Sequence, residues 1–304
     1  MTIATGSRSQ VGFIAETTYG VTPATPNLVS LPYTSWSVNL VKDEYEDNTI
    51  RPDRMERYSV SGNRHVSGDI DINYQPLNYD AFLEGLLYST WSVNVLKVGT
   101  TPKSFTMEEA ALDISQYRVY TGVMIDKMTL NVPNNGLITG KFSVIGKDQS
   151  ALTSATIDTD GVVAAPTVSA PMTHTGTSGF FKLGGTNVGY ITALTVNVDN
   201  GLSTNFTLGT ATARSLSAGF IKVSGTATVF FEDAVAYNLF ISGTQSSLDF
   251  KMDNGTNTHQ ITLPNVKFTG ATKTITGQGP VTMSFTFKAL YDNTTGSNIE
   301  ITRT

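Results

Sequence analysis

Asp69-Ile-Asp71-Ile-Asn73 is the stretch of this chain that comes nearest to a chemical motif. Oxygen-bearing side chains at alternate positions match the opening of an EF-hand calcium loop. Such a loop needs glycine where Tyr74 stands and a glutamate at its twelfth position, and neither is present. Asp69 and Asp71 would lie about 7 Å apart on one strand face, within the range of a glycosidase carboxylate pair. No acid in an apolar setting accompanies them. Asp158-Thr-Asp160-Gly161 is an equally short acidic pattern. The three histidines, His65, His174 and His259, fall in no metal-ligand spacing. A chain without cysteine excludes thiolate zinc sites, thiol nucleophiles and disulfides. There is no G-x-S-x-G elbow and no phosphate loop, and Gly184-Gly185 and Gly277-Gln-Gly279 read as turns. The residues therefore predict no catalytic centre, no cofactor and no metal.

The elements carrying these residues are strands. Threonine occurs 45 times, as often as the four charged types together, and β-branched residues suit a pleated, half-wet surface. Ile70, Ile72 and Tyr74 alternate with Asp69, Asp71 and Asn73. Met128, Leu130 and Val132 alternate with Thr129 and Asn131, and Gly140, Phe142 and Val144 with Thr139, Lys141 and Ser143. Trp36–Leu40, Leu194–Val198 and Val281–Phe287 repeat the pattern. Period two of this kind predicts antiparallel sheets with one packed and one wet face. Helix is expected over Leu77–Ser89, where Tyr79, Phe82, Leu83, Leu86 and Leu87 form one stripe and Asn78 could cap the start. A weaker helix is expected over Asp233–Ser242. Residues 149–179, rich in Ala, Thr, Ser, Gly and Pro, read as a linker. No stretch is apolar for long enough to form a membrane helix, and Met1–Gln10 shows no signal-peptide pattern. A net charge of −5 disfavours a protein that grips nucleic-acid phosphates.

An internal repeat organises the chain. Arg57-Tyr-Ser-Val-Ser-Gly62-Asn-Arg-His-Val66-Ser67-Gly68 aligns with Arg214-Ser-Leu-Ser-Ala-Gly219-Phe-Ile-Lys-Val223-Ser224-Gly225. The preceding strands, the following helices and a later hairpin keep the same order, with extra residues near Tyr88–Arg118 in the first copy. Three segments are expected: a first domain over 1–148 with an N-terminal arm, a linker over 149–179, and a second domain over 180–304. The copies differ most in one loop. Lys42–His65 holds eleven charged residues, among them Glu44, Glu46, Asp47, Arg51, Asp53, Arg54, Glu56 and Arg57, whereas Asp199–Lys222 holds three. A long loop of mixed sign suits a polar contact.

Residues 10–148 resemble phage tail tube (major tail) proteins. The resemblance is carried by Gln10-Val-Gly-Phe-Ile-Ala-Glu16-Thr-Thr-Tyr-Gly20-Val-Thr-Pro23-Ala-Thr-Pro26, Gly62–Asp71, Tyr79–Leu87, Ser104-Phe-Thr-Met-Glu-Glu and Val132–Phe142 in this order. It implies a mainly β fold: two tandem tube-type β-sandwich or barrel domains, each with a flanking helix, closing into a ring through intersubunit sheet pairing. It also implies a structural virion protein, with three two-domain chains per ring and stacked rings that guide double-stranded DNA during ejection. Further partners implied are tape measure, tail terminator and tip proteins, with assembly in the host cytoplasm.

Alternation makes Asp69, Asp71, Asn73, Thr129, Asn131, Thr139 and Ser143 the wall candidates of the first copy. Thr195, Asn197, Thr226, Thr228, Thr282 and Thr286 are those of the second. A wall with few cations is expected to let DNA slide. The charged loop is the expected ring-stacking contact. Competing readings are a secreted Thr-rich β-sandwich adhesin or surface-layer protein, a polysaccharide-active enzyme, and the tube of a contractile or secretion-type injection machine.

Overall fold

The structure is a computed structural model that describes residues 3–174, 181–188, 191–232, 234–275 and 277–304. Strands dominate it: β1 (Ser9–Ala15), β2 (Asn39–Glu46), β3 (Ser59–Asn73), β4 (Val95–Lys97), β5 (Phe105–Ala111), β6 (Gln116–Pro133), β7 (Thr139–Gly146), β8 (Ile191–Asp199), β9 (Lys222–Phe230), β10 (Ser246–Asp253), β11 (Thr258–Thr274), β12 (Thr282–Ala289) and β13 (Glu300–Arg303). Two helices accompany them, α1 (Asp80–Leu87) and α2 (Val235–Ser242). The fold is mainly β and antiparallel throughout its main ladders, as the alternation predicts.

One run of hydrogen-bonded strands crosses the molecule in the order β2-β3-β7-β6-β8-β9-β12-β11. Its first four strands and its last four have the same connectivity. A shift of 157 residues carries Ser67, paired with Asn39, to Ser224, paired with Asn197. A shift of 143 carries the pair Met128/Phe142 to Ala271/Phe285. Even the irregularities coincide, for β6 bulges between Ile125 and Lys127 and β11 between Phe268 and Gly270. Bulges let both long strands change partners. The start of β6 pairs with β5 and its end with β8, while the start of β11 pairs with β10.

The glycines of the two Val-Ser-Gly motifs have a common cause. A Cβ on Gly68 would overlap the carbonyl oxygen of Ser37, and one on Gly225 would overlap that of Thr195. Both strands of each pair approach too closely there for any side chain.

α1 buries Phe82, Leu83, Leu86 and Leu87 against the sheet. It is shorter than the predicted Leu77–Ser89. Leu77 and Tyr88 both take positive φ, and Tyr88 terminates the helix in the left-handed region. Asn78 does not cap it. Its amide donates to Gln75 and Thr167 instead, and its oxygen accepts from the Thr167 N–H. α2 begins at Val235; the predicted Asp233 lies outside the described residues. α2 buries only Ala236 and leaves Val235, Tyr237 and Ile241 exposed.

The predicted linker is a strap over its described part. Glu108, almost fully buried, accepts from Thr156 Oγ1 at 2.6 Å and the Ile157 N–H at 2.7 Å. Asp158 accepts from the Leu28 N–H at 2.6 Å, and the Met172 N–H donates to the Tyr74 carbonyl while its own carbonyl accepts from the Ile138 N–H. Residues 175–179 lie outside the described residues. The N-terminal arm is pinned by Glu16, which accepts from Gly20 N–H, Ser104 Oγ, Thr106 Oγ1 and Gly122 N–H at 2.6–2.8 Å.

Candidate functional site

The polar sides of the eight strands of the central run form one face. Asp69, Asp71 and Asn73 on β3 sit opposite Ser143, Lys141 and Thr139 on β7. Lys141 and Thr139 are opposite Thr129 and Asn131 on β6, which are opposite Asn197 and Thr195 on β8. The rows continue to Ser224 and Thr226 on β9, then to Lys288 and Thr286 on β12. Thr228 and Thr282 extend the same face toward its far end. Every wall residue expected from alternation is therefore found on one side of one sheet. The opposite side carries Val66, Ile70, Phe142, Leu130, Val196, Val223, Phe285 and Phe287, all buried.

Hydroxyls, amides and ion pairs link the rows. Thr129 Oγ1 donates to Asn197 Oδ1 at 2.8 Å, and Thr195 Oγ1 to Asn131 Oδ1 at 3.0 Å. Both bonds cross the β6–β8 junction. Ser143 Oγ donates to Asp69 at 2.6 Å. Lys141 Nζ lies 3.4 Å from Asp69 and 3.5 Å from Asp71. The two carboxylates, Asp71 foremost, hold its ammonium above the usual lysine range. Lys127 and Asp199 close a second pair across the junction at 3.1 Å, which raises Lys127 likewise.

The expectation of few cations on this face is corrected. It carries Lys127, Lys141, Lys222, Lys267 and Lys288, placed by the same alternation as the threonines. Lys222, Lys267 and Lys288 make no ion pair among the described residues. Paired with a lysine on an extended strand, Asp69 and Asp71 do not form a calcium loop. No cluster of metal-ligating side chains occurs among the described residues.

The face ends at two strand edges. The outer edge of Trp36–Glu46 has no strand partner among the described residues, nor does that of Gly270–Thr274. Open edges of this kind are templates for pairing with another chain. Beyond the first edge, β2 and β3 run on as a hairpin whose tip, residues 47–58, stands in solvent. There Arg51 pairs with Asp47 at 2.8 Å and Arg57 pairs with Asp53, and the Arg51 guanidinium sits 5.7 Å from the Tyr58 ring centre. Glu44 accepts from Ser59, whereas Glu46, Arg54 and Glu56 make no ion pair among the described residues.

The junction between the halves contains a buried polar cluster that the sequence did not single out. Tyr74 Oη lies 2.9 Å from His259 Nδ1. Arg303 stacks over Trp91 with 4.3 Å between guanidinium and ring centre, and pairs with Asp80. Desolvation raises Asp80, against the pull of Arg303. β13 pairs with both β11 and β4 beside this cluster. Through β4 the first half thus pairs with the last strand of the chain.

No helix among the described residues is long and apolar enough to cross a membrane. A family model described as phage tail tube protein matches residues 6–289. No individual curated protein gives a match to the chain.

Proposed function

The chain belongs to the phage tail tube protein family, a structural rather than enzymatic component of the virion tail, and on that premise we propose that three copies close a ring of six similar units. In this reading residues 1–148 and 180–304 are duplicated tube domains. Stacked rings form the channel through which DNA leaves, with tape measure, terminator and tip proteins as further partners. Assembly takes place in the host cytoplasm.

The observation that supports this reading is the β6–β8 junction. It joins the last strand of one four-strand unit to the first strand of the next, over Lys127–Pro133 and Ala193–Asp199. The two free edges are the same two strand positions. Carrying the register across by the repeat shifts sets Asn39 opposite Thr272 and Trp36 opposite Ile275 of a neighbour. Contacts of this head-to-tail kind close only at a fixed rotation.

The dimensions are consistent with a DNA channel. Eight strands per chain give 24 in a three-chain barrel. At about 4.8 Å spacing and about 40° tilt its backbone diameter is about 50 Å, leaving about 40 Å between facing side chains. That bore is wider than a DNA duplex. The wall would be the polar face: Asp69, Asp71, Asn73, Thr129, Asn131, Thr139, Ser143, Thr195, Asn197, Thr226, Thr228, Thr282 and Thr286. Its aspartates partly balance its lysines, and pairing of Lys127 and Lys141 leaves fewer cations to release counterions from passing phosphates.

Cryo-electron microscopy of the assembled protein tests the reading. The expected result is hollow tubes of stacked three-chain rings with Asp69, Asp71 and Thr226 facing the bore. Six chains per ring, or those residues in the outer layer, would overturn it.

A further inference from the structure

The neutral loop of the second half makes a contact that its charged counterpart lacks. β8 and β9 lead into a small hairpin, Ser203–Asn205 with Ser215–Ser217, in the register that Tyr45 and Val60 have in the first half. Its tip, residues 206–214, reaches back over the first half. The Arg64 N–H donates to the Ala211 carbonyl at 2.7 Å, Arg64 and Thr212 form a parallel bridge, and Ala213 is fully buried. At the root of this hairpin Asn200 donates to the carbonyls of Leu86 and Ile125. The first half thus has its β3 entrance covered.

The second half has the same entrance uncovered. The shift that carries Ser67 to Ser224 carries Arg64 to Ile221. Ile221 lies in an open groove of about 740 Å³, lined among others by Phe220, Lys222, Lys288, Leu290 and Tyr291. Phe220 is 92% exposed there. An apolar surface of this kind marks a contact site.

We infer that this groove receives residues 48–57 of the next copy of this chain, as an extension of the proposed ring, on which the inference rests. The same shift carries Ala211, Thr212 and Ala213 back to Arg54, Met55 and Glu56. Ile221 N–H then donates to the Arg54 carbonyl of the neighbour, and Met55, 72% exposed in the single chain, enters the groove. The charges change together at this second contact. Lys222 and Lys288 stand where the first half has His65 and Ile145, and Glu56 stands where the covering loop has Ala213. An apolar contact within the chain thus corresponds to an ion-paired one between chains. The charged loop, expected from sequence to stack rings, is by this geometry a lateral clasp within one ring.

Cysteine pairs test the contact, since the native chain has none. Three double variants are assembled and treated with diamide: Met55→Cys with Ile221→Cys for the groove, Asn39→Cys with Thr272→Cys for the ring seam, and Arg64→Cys with Thr212→Cys as the within-chain control. The expected result is that the control closes inside single chains while groove and seam variants give linked species ending at the trimer. Linkage of the seam and the control without the groove overturns the loop assignment and leaves the ring intact. A groove ladder running past the trimer also overturns it, because the loop would then reach another ring. Failure of both groove and seam, with the control closed, overturns the ring itself and the clasp with it.

Discussion

Acidification should loosen the junction between the halves through His259. This side chain is 1% exposed, and desolvation together with the Arg303 charge pushes its imidazole down from 6.5 to about 4. Burial raises Tyr74 far above its ordinary value, so its hydroxyl stays protonated, and with His259 in the Nε2–H tautomer it donates to Nδ1. A protonated ring would lose that acceptor and place a second cation beside Arg303, whose ion-pair partner is Asp80. The unfolded chain takes up a proton near pH 6.5 and the folded one near pH 4. Between these values the unfolded state binds more protons, so stability falls as the pH drops through the window and is fully present above it. The whole shift corresponds to about 3 kcal/mol, of which about 2 kcal/mol is lost between pH 7 and pH 5.

Urea unfolding at pH 7 and pH 5 reads this directly, with Trp91 as a local fluorophore 6.3 Å from the imidazole. His259→Gln keeps an acceptor for Tyr74 without titrating. The native chain should lose about 2 kcal/mol more than the variant over this interval. His65, His174 and the carboxylates are common to both and cancel in the difference. Equal losses in the two chains would refute the assignment.

Gly225→Ala and Gly68→Ala should each destabilise the chain by about 1–3 kcal/mol, because a methyl group there meets the backbone of the paired strand; thermal unfolding unchanged within error would show that the strands can separate. Glu108→Ala should cost about 2 kcal/mol by freeing two donors of the strap, and thermolysin should then cut near Leu152 and Ile157 before any other site. Lys141→Ala should change urea stability by no more than about 0.5 kcal/mol, since its partners are half exposed. A larger loss would mean that the polar face carries folding energy as well as forming a surface.

Period two made the polar face legible, because each strand declares its two sides within a few residues. Neighbour identity is not declared in this way. β6 reads as one alternating strand, yet it serves β5 before the Asp126 bulge and β8 after it, and the bulge has no local signature. His259 looked isolated because its partner Tyr74 is 185 residues away. The strap looked like a tether for the same reason: its anchors, Glu108 and Leu28, lie far from it in sequence. Asn78 satisfied the rule for a helix cap, but Leu77 already turns the chain through positive φ and hands Asn78 to Thr167. The repeated glycines were visible, whereas the close backbone approach that demands them was not.

A ring of six similar units built from three chains needs two kinds of seam, and their composition differs in a way that orders events. At the seam within the chain, Met128, Leu130 and Val132 on β6 sit beside Leu194, Val196 and Val198 on β8 on the apolar side, all buried. At the proposed seam between chains the β11 positions are Ala271, Lys273 and Ile275, beside Trp36, Val38 and Leu40. Lys273 already has a place in the single chain, with its ammonium 4.6 Å from the Phe231 ring centre. Replacing two large apolar residues by alanine and lysine removes apolar burial of about 25 cal/mol for each Å² lost, and a lysine near an open edge discourages indiscriminate strand pairing. In the proposed ring the inner seam would therefore close as the chain folds, while the outer one would be too weak to close by sheet pairing alone. In that ring the proposed clasp of Arg54–Glu56 in the Phe220 groove would supply the missing contact only when the correct neighbour is in register, and the charge asymmetry of the two loops and the apolar asymmetry of the two seams would then have the same origin.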